Sequence, residues 1–219
     1  MTDALHELKK NCPDYLDGKH IRLQRLNPER DYQELYDASH GTPAKSAVWK
    51  YFNADAYKRP FETPELFKET LDACENDPTW LQFVVIDKKS NKKVGQMNFL
   101  NTVPYHQRSE LGGIWYAVPY HGGYANPEST LLILTYLFEH MKYRRAEWKT
   151  DSNNIASQKA AVKLGFTFEG RFRQHMFAHG VNRDTMYYSM LDHEWDEKKK
   201  LLFERLGYTQ QDIDHLNDI

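Results

Sequence analysis

Two stretches of this 219-residue chain gather glycine and polar residues where a helix begins. The first runs from Ser109 to Ala125 (SELGGIWYAVPYHGGYA) and continues into Asn126-Pro127-Glu128. It reads as a strand end, a glycine-containing turn and a helix capped by Asn126. The first N–H groups of a helix have no internal partner and sit at the positive end of its dipole. They form an anion site apt for a phosphate or pyrophosphate. Gly122-Gly123 lets such a ligand approach the backbone, although the same pair also makes a plain turn. Neither G-x-x-x-x-G-K-[ST] nor a G-x-G-x-x-G after the first strand is present, so two familiar nucleotide signatures are excluded. The second stretch, Asp151 to Ser157, opens another helix that Lys163-Leu164-Gly165-Phe166 closes. Asn154 and Ser157 lie three apart and share one helix face near its start. They are either capping groups or ligand contacts. A third cluster, Trp49, Tyr51, Phe52 and Tyr57, falls in the irregular segment Gly41 to Pro60. Such aromatics either line a pocket for an amine or cap one edge of the core. His175 and His179 have i,i+4 spacing but fall on a strand and a turn, so no metal site is expected.

The elements that must position these residues are legible from periodicity. His20 to Leu26 alternates as a half-buried strand, and Asp31 to Ser39 reads as a short helix. Thr63-Pro64-Glu65 starts a helix with a cap, a proline at the first position and an acid in the first turn; it runs to about Glu75. Strands over Trp80 to Asp87, Val94 to Thr102 and Ser109 to Ala117 follow with short connections, an antiparallel meander. Leu131, Leu134, Leu137, Phe138 and Met141 recur at helical spacing. Glu147 to Thr150 is a strand, and Asn154 to Leu164 is a helix stopped by Gly165. Phe166 to Phe172 and Thr185 to Leu191 are strands joined through His179-Gly180. A tail helix over Asp192 to Leu206 and a capping box at Thr209 to Asp212 end the chain. Helices interleaved with a meander imply an α/β (mixed α+β) fold, one mixed sheet covered on both faces.

Composition narrows the class. There are 29 Lys and Arg against 31 Asp and Glu, a net charge of −2. No global basic field is present to hold nucleic acid or an anionic membrane. Mean hydropathy is −0.79, and the longest apolar run, Leu131 to Leu134, is too short to span a bilayer. Met1 to Lys10 has no signal-peptide core. The two cysteines, Cys12 and Cys74, are widely separated, which argues against a disulfide scaffold and for free thiols in a reducing, cytoplasmic setting.

In this order and spacing, several short motifs resemble the GNAT superfamily of acetyl-CoA-dependent N-acetyltransferases, and within it the ribosomal-protein-alanine acetyltransferase-like branch. They are Glu110-Leu111-Gly112, Ile114-Trp115-Tyr116, the loop His121 to Glu128, Asn154-x-x-Ser157, Lys163-Leu164-Gly165-Phe166, Phe168-Glu169-Gly170, and Asn182-Arg183-Asp184 before Tyr188-Ser189-Met190-Leu191 and Glu194-Trp195. The resemblance covers about residues 20–195, leaving 1–19 as an N-terminal extension and 196–219 as a helical tail. It implies a twisted sheet of about seven strands with splayed central strands. Pantetheine would lie in the gap against Trp115, Tyr116, Ala117 and Val118, with the pyrophosphate on the amides of His121, Gly122, Gly123, Tyr124, Ala125 and Asn126. Asn154 and Ser157 would complete the acetyl-CoA site. The loop matches the family's Q/R-x-x-G-x-G/A pattern incompletely. Counting from His121, the fourth and sixth positions are Tyr124 and Asn126. Counting from Tyr120, Gly123 and Ala125 fit.

Acetyl transfer to an amine needs a neutral amine, an oxyanion donor, a hydrogen bond or proton for the departing thiolate, and proximity. Glu110 is the first candidate base, directly or through water, with Glu169 and His175 as alternatives. The tyrosine that many family members carry seven residues after the helix Asn is replaced by Ala161. Ser157 is then the candidate for the sulfur, ahead of Tyr116 and Tyr188. The expected acceptor is a primary amine of a small molecule or peptide, held by Trp49, Tyr51, Phe52 and Tyr57. A homodimer through the tail is possible. The alternative is a non-catalytic CoA-binding or scaffold module of the same fold.

Overall fold

The computed structural model describes residues 9, 11–52, 60–178 and 180–217. Its sheet has eight strands in the order β1-β2-β3-β4-β5-β6-β8-β7. They are β1 (Tyr15–Asp17), β2 (Ile21–Arg25), β3 (Leu81–Asp87), β4 (Lys92–Val103), β5 (Arg108–Tyr116), β6 (Arg145–Asp151), β7 (Thr167–Ala178) and β8 (Val181–Leu191). Among the described strands only β5 and β6 pair in parallel; the helix between them carries the chain back across the sheet. The described helices are α1 (Pro28–Ser39), α2 (Pro43–Ser46), α3 (Pro64–Asn76), α4 (Ala125–Thr135), α5 (Ile155–Lys163), α6 (Asp192–Leu206) and α7 (Gln210–Asn217).

The sheet has a core on each face. One is built from Leu35 of α1, Phe67 and Leu71 of α3, and Val84, Ile86, Trp49, Phe61 and Trp115. The other joins Leu81, Phe83, Met97, Phe99 and Leu111 to α4, α5 and the tail. β3 is buried along its whole length because both faces are covered. Leu16 of β1 and Leu202, Phe203 and Leu216 of the tail helices enter the same core. The described parts of both segments flanking residues 20–195 therefore pack into the same core.

The differences from the sequence expectation have local causes. The strand β1 is three residues long, too short to show alternation. Helix α1 starts at Pro28, because Asn27 both ends β2 and caps the helix, its Oδ1 accepting from Arg30 N at 3.0 Å. β7 and β8 are longer than expected. The register shifts between Phe172 and Met176, and Gln174 takes φ 47° there, which breaks the alternation that periodicity relies on. Helix α4 begins at Ala125 with Tyr124, not Asn126, at the cap position. His179 lies outside the described residues.

The feature that matters for function is a split in the sheet. β5 and β6 are in register from Arg108↔Arg145 to Leu111↔Trp148 and no further. Beyond that point β5 stays with β4 up to Tyr116↔Gly95, and β6 stays with β8 up to Asp151↔Thr185. A bulge turns β5 away: between Gln96↔Trp115 and Asn98↔Gly112 it carries one residue more than β4. Gly113 sits in the bulge with φ 59°, and a Cβ there would lie 2.5 Å from Asn98 Nδ2. That nitrogen donates to the carbonyls of Gly112 and Gly113, both at 3.2 Å, and clamps the bulge. Only glycine meets both demands.

Candidate active site

The split holds a cleft of about 540 Å³. One wall is β5 from Glu110 to Tyr116, whose edge has no partner strand beyond Leu111. The other is β6 from Trp148 to Asp151, with Asn154, Ser157 and Ala160 of α5 above it. Tyr51 and Phe52 close one side, and Tyr120, His121, Gly122 and Asn126 line the far end.

At that far end the backbone is left uncommitted. Tyr120 Oη and Tyr124 Oη donate to the Asp87 carboxylate at 3.4 and 2.7 Å, which anchors both flanks of the loop. Burial works against ionisation of Asp87, but hydrogen bonds from Ser90, Tyr124 and Tyr120 outweigh it and hold the carboxyl below its ordinary value. The Tyr124 hydroxyl is pushed up to about 12, chiefly by Asp87, so it stays a donor. Because that side chain points to Asp87, it does not cap α4, and no other side chain does. Asn126, expected as the cap, instead accepts from Tyr116 Oη at 3.3 Å. His121 Nε2 donates to Tyr116 O at 2.8 Å, tying the loop to the end of β5. Gly122 has φ 73° with nothing within 4 Å of where a Cβ would sit, and a Cβ on Gly123 would meet nothing nearer than Tyr120 O at 3.7 Å. The outcome is a helix N-terminus without a side-chain cap behind two unobstructed glycines, a candidate anion cradle.

The apex of the cleft is built from side chains instead. Glu110 Oε2 accepts from Lys149 Nζ at 2.7 Å and from Asn101 Nδ2 at 2.8 Å. Lys149 also lies 3.0 Å from Glu147. Burial presses the Lys149 ammonium toward neutrality, but Glu110 and Glu147 more than offset this and hold it above its ordinary value. Glu147 is held down by Arg145, Lys149 and Arg108 against the effect of its own burial. Among the described residues Glu110 Oε1 accepts no hydrogen bond, so one carboxylate oxygen remains available in the cleft. On the opposite wall Ser157 Oγ accepts from Trp148 Nε1 at 3.0 Å, which leaves its own hydroxyl hydrogen free to donate. Asn154 Oδ1 caps α5 by accepting from Ser157 N at 3.1 Å.

Of the residues singled out from sequence, the cleft brings together Glu110, Trp115, Tyr116, His121, Gly122, Asn126, Asn154, Ser157, Tyr51 and Phe52. Ala117, Val118, Gly123, Tyr124 and Ala125 frame the loop without lining the cleft. Trp49 does not face it. It is 2% exposed and packs against Phe52, Phe61, Phe67 and Trp115, with ring centroids 5.0–6.0 Å apart. Its role is in the core beneath the aromatic rim. Tyr57 lies outside the described residues. The alternative bases sit elsewhere. Glu169 is clamped by both Arg145 nitrogens and Ser189, its carboxyl held at about 2 mainly by the guanidinium. His175 is bonded to Thr185 and Tyr187 on β7–β8. Sequence reasoning missed Lys149 and Arg183, both of which line the cleft. Lys149 had a signal, since it shares a strand face with Glu147. Arg183 stood in the Asn182-Arg183-Asp184 motif, but nothing in its spacing marked it as a site residue, and the bulge in β7 hides the pairing that extends β8 to it.

A mixed sheet opened between two parallel strands, with an anion cradle at the mouth and a carboxylate at the apex, fits a group transferase. The chain belongs to the GNAT acetyltransferase family, whose acetyltransferase (GNAT) domain matches residues 20–167. A GCN5-related N-acetyltransferase from Brucella melitensis superposes with a TM-score of 0.82 at 29% identity, covering 96% of this chain and 100% of that one. The Bacillus subtilis protein named "Putative ribosomal N-acetyltransferase YdaF" is 23% identical over 187 residues, 83% of this chain and 97% of its own length. Mycobacterium smegmatis RimJ, solved in complex with CoA-disulfide, shares the fold with a TM-score of 0.72 at 16% identity, covering 88% of this chain and 91% of that one. Among the described residues no helix is long and apolar enough to cross a membrane.

Proposed function

We propose that the chain moves an acetyl group from acetyl-CoA to a primary amine by direct attack on the thioester. The observation that carries this is the split between β5 and β6, which presents an unpaired strand edge, an anion cradle and two reactive side chains in one cleft. Acetyl-CoA would supply the activated acyl group. The amides of Gly122 to Asn126 would hold its pyrophosphate, and the free edge of β5 would pair with pantetheine as a further strand would.

The chain's own residues then have separate tasks. Glu110 Oε1 takes a proton from the attacking amine, directly or through one water. Lys149 fixes the carboxylate in place. An unpaired N–H on the edge of β5 beyond Leu111 would donate to the developing oxyanion. Ser157 donates its free hydroxyl hydrogen to the departing thiolate, a role that buried Ala161 cannot fill. Tyr116 is a poor proton source: its hydroxyl is committed to Asn126 and burial pushes its pKa up.

For the acceptor, the name carried by YdaF, a ribosomal N-acetyltransferase, favours a peptide or protein amine over a small metabolite. The test is release of free thiol from acetyl-CoA across a panel of peptide, amino-sugar, polyamine and amino-acid amines. Turnover with peptide N-termini is expected. Turnover with none of them would leave the chain a CoA-binding module without this activity.

A further inference from the structure

The cations in and beside the cleft, of which Lys149 and Arg183 line it, are not equivalent. Arg108 is paired with Glu147 at 3.3 Å, Arg145 with Glu147 and Glu169, and Lys149 with Glu110 and Glu147. Arg183, on β8 opposite Met176 of β7, also lines the cleft, with its side chain 14% exposed. Yet its Nε is buried and makes no hydrogen bond. Its nearest carboxylate oxygen, Asp151 Oδ2, stands 3.8 Å away, beyond hydrogen-bond distance. The other oxygen of Asp151 is taken by Asn153 N at 2.7 Å. Asp151 thus balances the charge of Arg183 without using its donors. A guanidinium has five N–H groups in a planar fork that matches a carboxylate or phosphate. Leaving a mostly buried one unsatisfied is costly, as with any buried charged donor.

Position decides what would satisfy it. Directly opposed residues of an antiparallel pair share a face, so Glu147 with Ser189, Lys149 with Tyr187 and Asp151 with Thr185 all point the same way. Arg183, two residues before Thr185, joins that face, as does Glu110 through its bond to Lys149. Glu110 is level with Glu147, four residues along β6 from Asp151, a distance of about 13 Å at the rise of a strand. The anion cradle at Gly122 to Asn126 lies across the cleft, at the end of β5. We propose, resting on the acetyl-transfer reading above, that Arg183 is a specificity residue that receives a carboxylate of the acceptor. The preferred substrate is then an extended peptide whose amine sits at Glu110 and which carries an acidic side chain within its first four residues.

The test compares Ala-Ala-Ala-Ala-amide with Ala-Ala-Glu-Ala-amide, by kcat/KM for acetylation and by calorimetric binding to the full chain with CoA present. Hydrogen bonds to a charged group predict a preference of about 10–100-fold for the acidic peptide. Arg183→Gln should bring the ratio of the two peptides close to one while leaving the KM for acetyl-CoA in place. Arg183→Lys keeps a charge but lacks the fork, and should retain only part of the preference; it also serves if the Gln variant folds poorly. A wild-type ratio near one overturns the inference even if both peptides are acetylated, and the acetyl-transfer reading then survives. An Arg183→Gln variant that raises only the KM for acetyl-CoA assigns the guanidinium to a cofactor phosphate and also overturns it. If neither peptide is acetylated, calorimetry still decides. Tighter binding of the acidic peptide that is lost in Arg183→Gln supports the carboxylate site, and equal binding removes it.

Discussion

The two ends of the cleft are made from different material. The cradle at Gly122 to Asn126 is backbone: Tyr124, like Tyr120 before it, turns its hydroxyl to Asp87, the two glycines carry no side chain, and Asn126 is bonded to Tyr116. The apex is side chain: Glu110, Lys149, Glu147 and Asn101 lock one another in place over distances of 2.7–3.0 Å. A site built from amides depends on loop shape and tolerates changes in residue type. That is why a loop fitting the family pattern in neither register can still present a helix N-terminus without a side-chain cap. A site built from a charge network depends on each member, so single substitutions there should act strongly.

The contrast sets an order of effects. Glu110→Gln should cost the most, since general-base help is worth about 10²–10⁴-fold. The loss in kcat should be greatest at neutral pH and shrink at high pH, where the amine deprotonates unaided. Full activity at pH 7 would show that the apex carboxylate is structural only. Beneath the rim, Trp49→Ala should lower stability by about 3–5 kcal/mol, as for other buried large-to-small changes. Tyr51→Ala should leave the melting curve nearly in place and raise the KM of the acceptor. Chemical denaturation of both variants beside steady-state kinetics separates core from rim.

Ser157→Ala should reduce kcat by about 10–100-fold, the value of one hydrogen bond to a charged leaving group. Unlike the Glu110 variant it should show no recovery at high pH. A change confined to the KM for acetyl-CoA would make Ser157 a binding contact. The smallest effect is expected at Glu169. Its carboxyl is held at about 2 by Arg145, below the ordinary glutamate value of roughly 4.3. Its contribution is present above that ordinary value and fades as pH falls toward 2. Glu169→Gln should flatten the acid limb of the stability profile in that window, with little change in kcat at neutral pH. A large kcat loss would place Glu169 in the chemistry after all.

How much of this was legible in the sequence follows from what each part rests on. The meander, α3 with its Thr63-Pro64 start, and α5 with its Asn154 cap and Gly165 stop were readable, because periodicity and capping are local. The strands hidden by a bulge were not, and neither was three-residue β1. At the site, Glu110, Asn154, Ser157 and Gly122, singled out by residue type, spacing and the family resemblance, all line the cleft. Trp49 was misplaced, since an aromatic at a rim and one in the core below it look alike in sequence. The Lys149–Glu110 pair escaped because it joins β5 to β6, a contact between strands 39 residues apart in the chain.

The central claim is that the split between β5 and β6, with its backbone cradle, is where acetyl-CoA binds. Thermal unfolding and calorimetry of the wild type and Gly123→Glu test it most directly. A Cβ at Gly123 meets no obstruction, so the variant should fold, while its carboxylate opposes an incoming pyrophosphate. A hundredfold excess of acetyl-CoA over its Kd should stabilise the wild type by about 2.7 kcal/mol, roughly 5–10 °C in Tm for a chain of this size. The variant should show little or no shift. No stabilisation of the wild type at millimolar acetyl-CoA, or an equal shift in both proteins, would contradict the account.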